Sequence, residues 1–363
     1  MEKVSFISNN PEDLLNLRSS LLTWFKIHKR NLPWRSNPNL YKTVLSEFML
    51  QQTRIETALP YFYRWTESFP DFKALAEANL DSVLKHWEGL GYYNRARNLH
   101  KVAQYITQSG KIPSSFEEWK KLPGIGDYTA AAISSIEQNL SVAVVDGNVV
   151  RVLARLTNQE NTFKGNSDAV NFFRPLANKL IDQNSPGDFN QAMMELGATL
   201  CQKAKPQCQK CPLIKHCKGL KFHAKNIKYL PRIKRTQKEK ITLERAIVFK
   251  RSSILLHKIN SDSKRLRDHY EIPLMELIDG SFSTKKLKPI TRGRRAISNQ
   301  SIEENWYKIE KSFVNPHLLT QENGFYWVDL KKIDSILLTG PHRRWLKNLL
   351  KIQNAKEVDL INN

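Results

Sequence analysis

The segment Leu122-Pro123-Gly124-Ile125-Gly126-Asp127-Tyr128-Thr129 runs directly into Ala130-Ala131-Ala132-Ile133. Proline and glycine stop one helix and force a tight turn, and the small residues behind them make a helix that can pack closely against its neighbours. A helix, a hairpin and a second helix are therefore expected. Gly124 and Gly126 permit positive φ and bring bare backbone N–H groups towards a phosphate, whose charge the following helix N-terminus also favours. Such a contact positions a nucleic-acid backbone without reading its sequence. Leu-Pro-Gly before a helix fits a plain turn equally well, so the hairpin takes its weight from the motifs around it.

Outward from the hairpin, residues 10 to about 202 read as short helices punctuated by Gly and Pro. Leu14, Leu17, Leu21 and Phe25 mark the first apolar stripe, and Asn10 before Pro11 is a helix start. Between Lys218 and Lys240 lie nine Lys or Arg residues against one acid, Glu239, with no sustained apolar period, a composition that reads as a linker. Beyond it Ala246 to Phe249, Ser253 to Ile259 and Phe325 to Val328 have strand patterns and Pro341 to Leu350 a closing helix, so a smaller mixed α/β domain is expected there.

The 363 residues suffice for about two domains. Lys and Arg total 57 against 35 Asp and Glu, a net charge of +22 that points to a polyanionic partner, nucleic acid first, although an AT-rich genome also inflates lysine. No stretch approaches the roughly 20 apolar residues that span a bilayer, and the first ten residues lack an apolar signal core, so neither a membrane partner nor export is expected. All four cysteines fall between Cys201 and Cys217, unlike the disulfide framework of a secreted fold, and a reducing cytoplasm fits. Their spacing, C-x6-C-x2-C-x5-C, brings four thiolates to one point at the end of a helix. Zinc is one candidate occupant; the x6 and x5 arms differ from paired C-x2-C zinc knuckles and favour an iron–sulfur cluster. Lys203, Lys205, Lys210, Lys215, His216 and Lys218 would make the surrounding loop basic.

Two carboxylates carry the chemical argument. Glu47 lies in Tyr41-Lys42-Thr43-Val44-Leu45-Ser46-Glu47-Phe48-Met49-Leu50-Gln51-Gln52-Thr53, an apolar helix with no ion-pair partner at helical spacing, so its pKa should be raised. Asp146, in Val144-Val145-Asp146-Gly147-Asn148-Val149-Val150-Arg151, falls where a helix begins, and N-terminal amides favour its ionised form. One acid would then donate a proton while the other faces a developing cation. Taken singly, Glu47 also fits a surface acid and Asp146 a simple helix cap. Gln51, Gln52, Tyr92 and Tyr93 are the amides and aromatics suited to holding an extruded base or filling the vacated stack, and in Gly89-Leu90-Gly91-Tyr92-Tyr93-Asn94-Arg95-Ala96-Arg97-Asn98 two glycines lead into an aromatic and basic helix start. Half-buried core tyrosines are the other reading of that pair.

Together Leu32 to Arg35 (L-P-W-R), Ser46 to Thr53 (S-E-F-M-L-Q-Q-T), Gly89 to His100, the hairpin, V-D-G-N-V and the cysteine spacing resemble the MutY-type adenine DNA glycosylases over roughly residues 10 to 218. The wider group is the endonuclease III-like superfamily. The resemblance implies an all-α, two-lobed helix-hairpin-helix glycosylase domain over residues 1–218 with a [4Fe-4S] loop at 201–217. A basic linker at 219–240 and a smaller, divergent α/β Nudix-like domain at 241–363 would follow. It further implies that Glu47 protonates adenine N7, that Asp146 stabilises the oxocarbenium-like sugar, that Tyr128 orients Asp146 by hydrogen bonding and that Asn148 holds the same region. Arg30, Trp34, Arg35 and Gln191 match positions around the adenine, Gln52 and Tyr92 the residues that intrude into the duplex, Gly124 and Gly126 the phosphate grip, and Cys201, Cys208, Cys211 and Cys217 the cluster ligands. The implied partner is double-stranded DNA with adenine opposite 8-oxoguanine or guanine, bound by a monomer in the cytoplasm at the nucleoid.

Two departures matter. Lyase members of the superfamily carry a Schiff-base lysine where this chain has Tyr128, so a monofunctional glycosylase that leaves an abasic site is expected. The family's Phe-Ser-His lesion-reading loop is best matched by Arg294-Arg295-Ala296-Ile297-Ser298-Asn299-Gln300, in which Ser298 alone agrees and Asn299 stands for the histidine. Asn299 could still bond a purine edge, with Arg292, Arg294 and Arg295 on phosphates. An endonuclease III-like lyase for oxidised pyrimidines and a non-catalytic DNA-binding protein are the alternative functions.

Overall fold

A computed structural model describes residues 10–223, 226–234, 238–260, 262–263, 269–278, 287–297 and 300–361. The chain divides into two compact units, Met1–Val83 with Arg95–Arg235, and Leu84–Asn94 with Thr236–Asn363.

The first unit is built of helices. α1 (Pro11–His28) starts where the Asn10 side chain accepts from the Glu12 amide at 3.0 Å. Leu17, Leu21 and Phe25, one turn apart, are its buried stripe, and Leu14 is half-buried against the same core. Next come α2 (Pro33–Ser36), α3 (Leu40–Leu50), α4 (Ile55–Ser68), α5 (Phe72–Glu77) and α6 (Leu80–His86), whose last residues pass into the second unit. α7 (Asn94–Ser109), α8 (Phe116–Lys120) and α9 (Asp127–Gln138) follow, and residues 121–126 between the last two form the hairpin. Gly124 sits there at φ +80°, where a Cβ would also stand 2.7 Å from Asn98 Nδ2 and 3.0 Å from the Phe48 ring. Gly126, expected to share the positive φ, is instead the N-cap of α9 at φ −94°. The turn reverses at Gly124, and Gly126 has only to enter a helix from extended backbone.

α10 (Gly147–Leu156), α11 (Asn166–Leu180) and α12 (Pro186–Thr199) complete the helical body, with α12 packed on α1, α9 and α10. Small residues permit these approaches: Ala130, Ala131 and Ala132 of α9 are buried, and a Cβ on Gly197 of α12 would fall 2.6 Å from Asn148 Cβ. Residues 219–223 and 226–234 of the expected linker also belong to this unit, whereas 238–240 belong to the second. The former include most of α13 (Lys218–His223), and β2 (Arg232–Ile233) pairs in parallel with β1 (Thr162–Phe163). Ile227 and Leu230 are buried, and the Leu230 carbonyl accepts from Arg155 Nε at 3.2 Å. These apolar anchors, sparse among lysines, make no sequence period.

In the second unit β3 (Glu239–Ile247), β4 (Phe249–Lys250), β5 (Ser253–Lys258) and β6 (Tyr270–Glu271) precede α14 (Met275–Ile278). β7 (Thr291–Ile297), β8 (Gln300–Lys308), β9 (Phe325–Asp329) and α15 (Gly340–Ile361) complete it. One sheet has the order β3-β8-β7, with β3 parallel to β8 from Glu239↔Gln300 to Ile247↔Lys308 and β7 antiparallel. In the other, β5 pairs antiparallel with β4, β6 and β9, from Ser253↔Asp329 to His257↔Phe325 on the β9 side. Alternation divides its core: Leu255 packs with Met275 and Ile278 of α14, and Ile254 and Leu256 pack with Leu346 and Leu349 of α15. The region is thus a mixed α/β body. Ser298 and Asn299 lie outside the described residues. Arg295 is committed to buried Glu304, Nε to Oε1 at 2.7 Å, and is withdrawn from phosphate contact, whereas Arg294 is 82% exposed. No described helix is long and apolar enough to cross a membrane.

Candidate active site

A cleft of about 640 Å³ in the helical unit is lined by Arg30, Trp34, Arg35, Glu47, Tyr128, Asp146, Asn148 and Gln191, eight of the residues singled out from the sequence. Glu47 comes from α3, where the helix buries Thr43, Val44, Leu45, Phe48 and Met49 around it. Its side chain is 6% exposed and its Oε2 has no hydrogen-bond partner among the described residues. Burial pushes its carboxyl up to about 7; the Tyr128 hydroxyl and Arg35 pull it down and the charge of Asp146 pushes it further up.

Asp146 caps α10, with Oδ1 accepting from the Val149 amide at 2.7 Å and Oδ2 from Asn148 Nδ2 at 2.9 Å. Asn148 in turn accepts from Arg151 at 2.9 Å, which fixes its orientation. Contrary to the sequence expectation, the Asp146 carboxyl is also raised: burial outweighs the Val149 and Asn148 donors and the charge of Arg151, which act in the expected direction. Tyr128, expected to bond Asp146, donates instead to Met194 Sδ at 3.2 Å, and its own pKa is raised by burial and by the Glu47 and Asp146 charges. The phenol also lies close enough to Glu47 to lower its carboxyl.

Around this pair stands a frame that sequence reasoning missed. Glu195, on α12 one turn after Gln191, is 1% exposed and accepts from Arg30 at 2.6 and 3.1 Å and from Arg35 at 3.1 Å. Arg35 also donates to Gln191 Oε1 at 2.9 Å. Burial pushes the Glu195 carboxyl up, but the two guanidiniums prevail and hold it below its ordinary value. Glu195 therefore remains an anion that aims both arginines. Its one sequence signal was an acid inside the apolar run Ala192-Met193-Met194-Glu195-Leu196. Trp34 is 8% exposed and packs edge-on to Phe62 at 5.1 Å, forming one wall.

Gln51, Gln52, Gly124 and Gly126 are not among the cleft's lining residues. Gln51 Nε2 donates to the Gly124 carbonyl at 3.3 Å and Thr129 Oγ1 at 3.2 Å, tying the end of α3 to the hairpin. Gln52 follows at φ +57°, and Tyr92, 52% exposed in the second unit, lies at φ +51°. Left-handed backbone at residues other than Gly or Asn is costly and concentrates at functional positions.

Cys201, Cys208, Cys211 and Cys217 are free thiols lining one small pocket with Leu200, Ile214 and Leu220. Arg155 donates to Cys201 Sγ and the Cys201 carbonyl, both at 3.3 Å, and to the Gln202 carbonyl at 2.9 Å. Burial pushes the Cys211 thiol up to about 12 and Cys217 to about 11, the neighbouring sulfurs adding to it.

A helical unit with a glycine hairpin and two acids in one cleft defines a class, and the HhH-GPD superfamily of base-excision DNA-repair proteins matches residues 45–171. The solved structure of a thermostable thymine-DNA glycosylase superposes with a TM-score of 0.50 at 25% identity, covering 58% of this chain and 97% of that one. An adenine DNA glycosylase of Buchnera aphidicola subsp. Acyrthosiphon pisum is 33% identical over 350 residues, 91% of this chain and 97% of its own length. That of Arabidopsis thaliana is 39% identical over 237 residues, 58% of this chain but only 38% of the plant protein. The chain belongs to the adenine DNA glycosylase family.

Proposed function

We propose that this protein removes adenine mispaired with 8-oxoguanine or guanine from duplex DNA by hydrolysing its N-glycosidic bond. The observation that carries the reading is a buried carboxyl with an unpartnered oxygen, Glu47, sharing one cleft with a carboxyl whose two oxygens are both held by donors, Asp146. Protonated Glu47 gives its proton to N7 of the flipped adenine. The C1′–N9 electron pair leaves with the base, Asp146 faces the cationic sugar, and water adds to C1′ and passes its proton to the Glu47 carboxylate, giving an abasic site and restoring the acid. Arg30, Arg35, Trp34 and Gln191 hold the base, with Glu195 aiming the arginines. Tyr128 is no amine nucleophile, which supports a monofunctional reaction without a lyase step.

The four thiols fit a [4Fe-4S] cluster. The four sulfurs line one shared pocket, which supports a common occupant. Thiols whose pKa is raised by burial need a cationic centre to ionise them. Cys201, Cys208, Cys211 and Cys217 would be the ligands. When bound, the cluster would cross-link the basic loop for phosphate contact, and Arg155 holds the start of that loop. The Nudix-like identity of the second unit and a lesion-reading role for Ser298 and Asn299 belong to the same proposal, as does a monomer acting on DNA in the cytoplasm.

The test is direct. Duplexes carrying adenine opposite 8-oxoguanine, guanine or thymine are incubated with the protein and treated with alkali. Cleavage at adenine in the first duplex is expected, and intact strands in all three would overturn the reading. Equal cleavage of the first two would remove the lesion preference alone.

A further inference from the structure

Tyr92 belongs to a segment, Leu84–Asn94, that clusters with the sheet-bearing unit although the chain on either side is in the helical one. Three contacts inside that unit hold it. The Glu88 carboxylate pairs with Arg343 of α15, the two side chains being 12% and 14% exposed, and with Lys85 at 2.7 Å. Arg343 is oriented by Asp334 at 3.0 Å and the Ile333 carbonyl at 2.7 Å, and Lys85 donates to the Asp334 carbonyl. The Tyr93 ring stands edge-on to buried His269 at 4.2 Å. Within the loop Trp87 Nε1 donates to the Gly91 carbonyl at 3.0 Å and Gly89 N to the Tyr93 hydroxyl at 3.4 Å. The backbone is left-handed at Gly89, Gly91 and Tyr92, and the Tyr92 ring remains 52% exposed. Gln52 is carried differently: in the helical unit Arg95 Nη1 donates to the Phe48, Met49 and Gln51 carbonyls at 3.0, 2.8 and 2.6 Å, fixing the end of α3.

We propose that the Glu88–Arg343 pair, with the Tyr93–His269 stack, is a positioning clasp that makes Tyr92 a wedge of the second unit, while Gln52 is a wedge of the first. Intrusion by Tyr92 then depends on the state of the sheet-bearing unit. A half-buried ion pair is suited to this, because replacing Arg343 leaves Glu88 with Lys85, a neighbour in its own segment, and takes away the hold of α15 on the loop. The proposal rests on the reading that Tyr92 enters the duplex.

The experiment uses the full chain and a duplex with 2-aminopurine beside the guanine of a G·A mispair, whose fluorescence rises when its stack is opened. Arg343→Met is expected to lose more than half of the rise and to weaken duplex binding about tenfold, with single-turnover excision by saturating enzyme unchanged within about threefold. Glu88→Gln should move both readouts in the same direction by a smaller amount, which serves if Arg343→Met does not fold. Restoration of the rise in the charge-swapped double variant Glu88→Arg, Arg343→Glu supports the clasp. A full rise in both single variants, in a preparation where Tyr92→Ala abolishes it, overturns the clasp alone. A full rise in Tyr92→Ala removes the wedge reading and the clasp with it.

Discussion

Replacing Glu47 by Gln keeps the shape of the side chain and removes its titration. In the folded protein the carboxyl has a pKa of about 7 against an ordinary 4.5. A group raised in this way favours folding fully while protonated, below 4.5, and that contribution is lost as pH rises through 7. The loss amounts to about 3 kcal/mol once Glu47 is ionised. Glu47→Gln should therefore match the parent's pH trend below 4.5 and gain about 3 kcal/mol on it between pH 5 and 8, read by urea unfolding under circular dichroism across that range. Catalysis should move oppositely. With about half of Glu47 protonated at pH 7 and about a tenth at pH 8, parent excision should fall with rising pH, and Glu47→Gln should be slower by roughly 10²–10⁴-fold at every pH. A stability difference that is flat from pH 5 to 9 would refute the buried-acid argument. Excision by Glu47→Gln within about tenfold of the parent would refute its role as donor.

Asp146→Asn keeps a good capping side chain on the Val149 amide, so melting should shift by no more than about 1 kcal/mol while single-turnover excision falls at least about a hundredfold. In the second unit, burial pushes the Glu304 carboxyl up but His342, Arg245 and Arg295 prevail and hold it at about 2. Its contribution is present above pH 4.5 and lost as pH falls towards 2, and Glu304→Gln should destabilise that unit by about 3–5 kcal/mol in hydrogen exchange at pH 7. Gly124→Ala sets a Cβ against Asn98 and Phe48 at φ +80° and should cost about 1–3 kcal/mol and weaken duplex binding, measured by melting and by fluorescence anisotropy. Borohydride added to the protein on an abasic duplex should trap no covalent complex; a stable adduct would restore the lyase alternative.

Features that depend on neighbours in the chain were legible in the sequence. Leu-Pro-Gly before small residues marks a tight turn by local sterics, the Asn10-Pro11 start caps its own helix, and an acid amid Val44, Leu45, Phe48 and Met49 has no local partner. Distant contacts were not. Glu195 meets Arg30 and Arg35 from 165 and 160 residues away, so nothing beside it marks it as the anchor of the cleft. Asp146 was misread for the same reason: its amide donors are local and countable, while the desolvation that outweighs them comes from packing. The membership of residues 84–94 in the second unit rests on Arg343 and His269, far along the chain.

Burial raises both acids of the cleft, so desolvation alone does not divide the work between them. The division comes from what each oxygen faces. Glu47 Oε2 has no donor among the described residues, and burial outweighs the Tyr128 hydroxyl and Arg35, which favours the neutral form that can give up a proton. Asp146 carries a turn of donors, the Val149 N–H and Asn148, which are held in place by α10 and by Arg151. On the proposed mechanism the cationic sugar adds opposite charge to that preorganised carboxylate and lowers the cost of its ionisation, at the moment when the proton leaves Glu47. On the proposed mechanism Glu47, once it has given up its proton, becomes a second anion near the sugar. The two carboxyls are thus coupled through the substrate. Removing either one should shift the pH dependence of what remains, and a residual excision profile in Asp146→Asn with the same midpoint as the parent would show that they act independently.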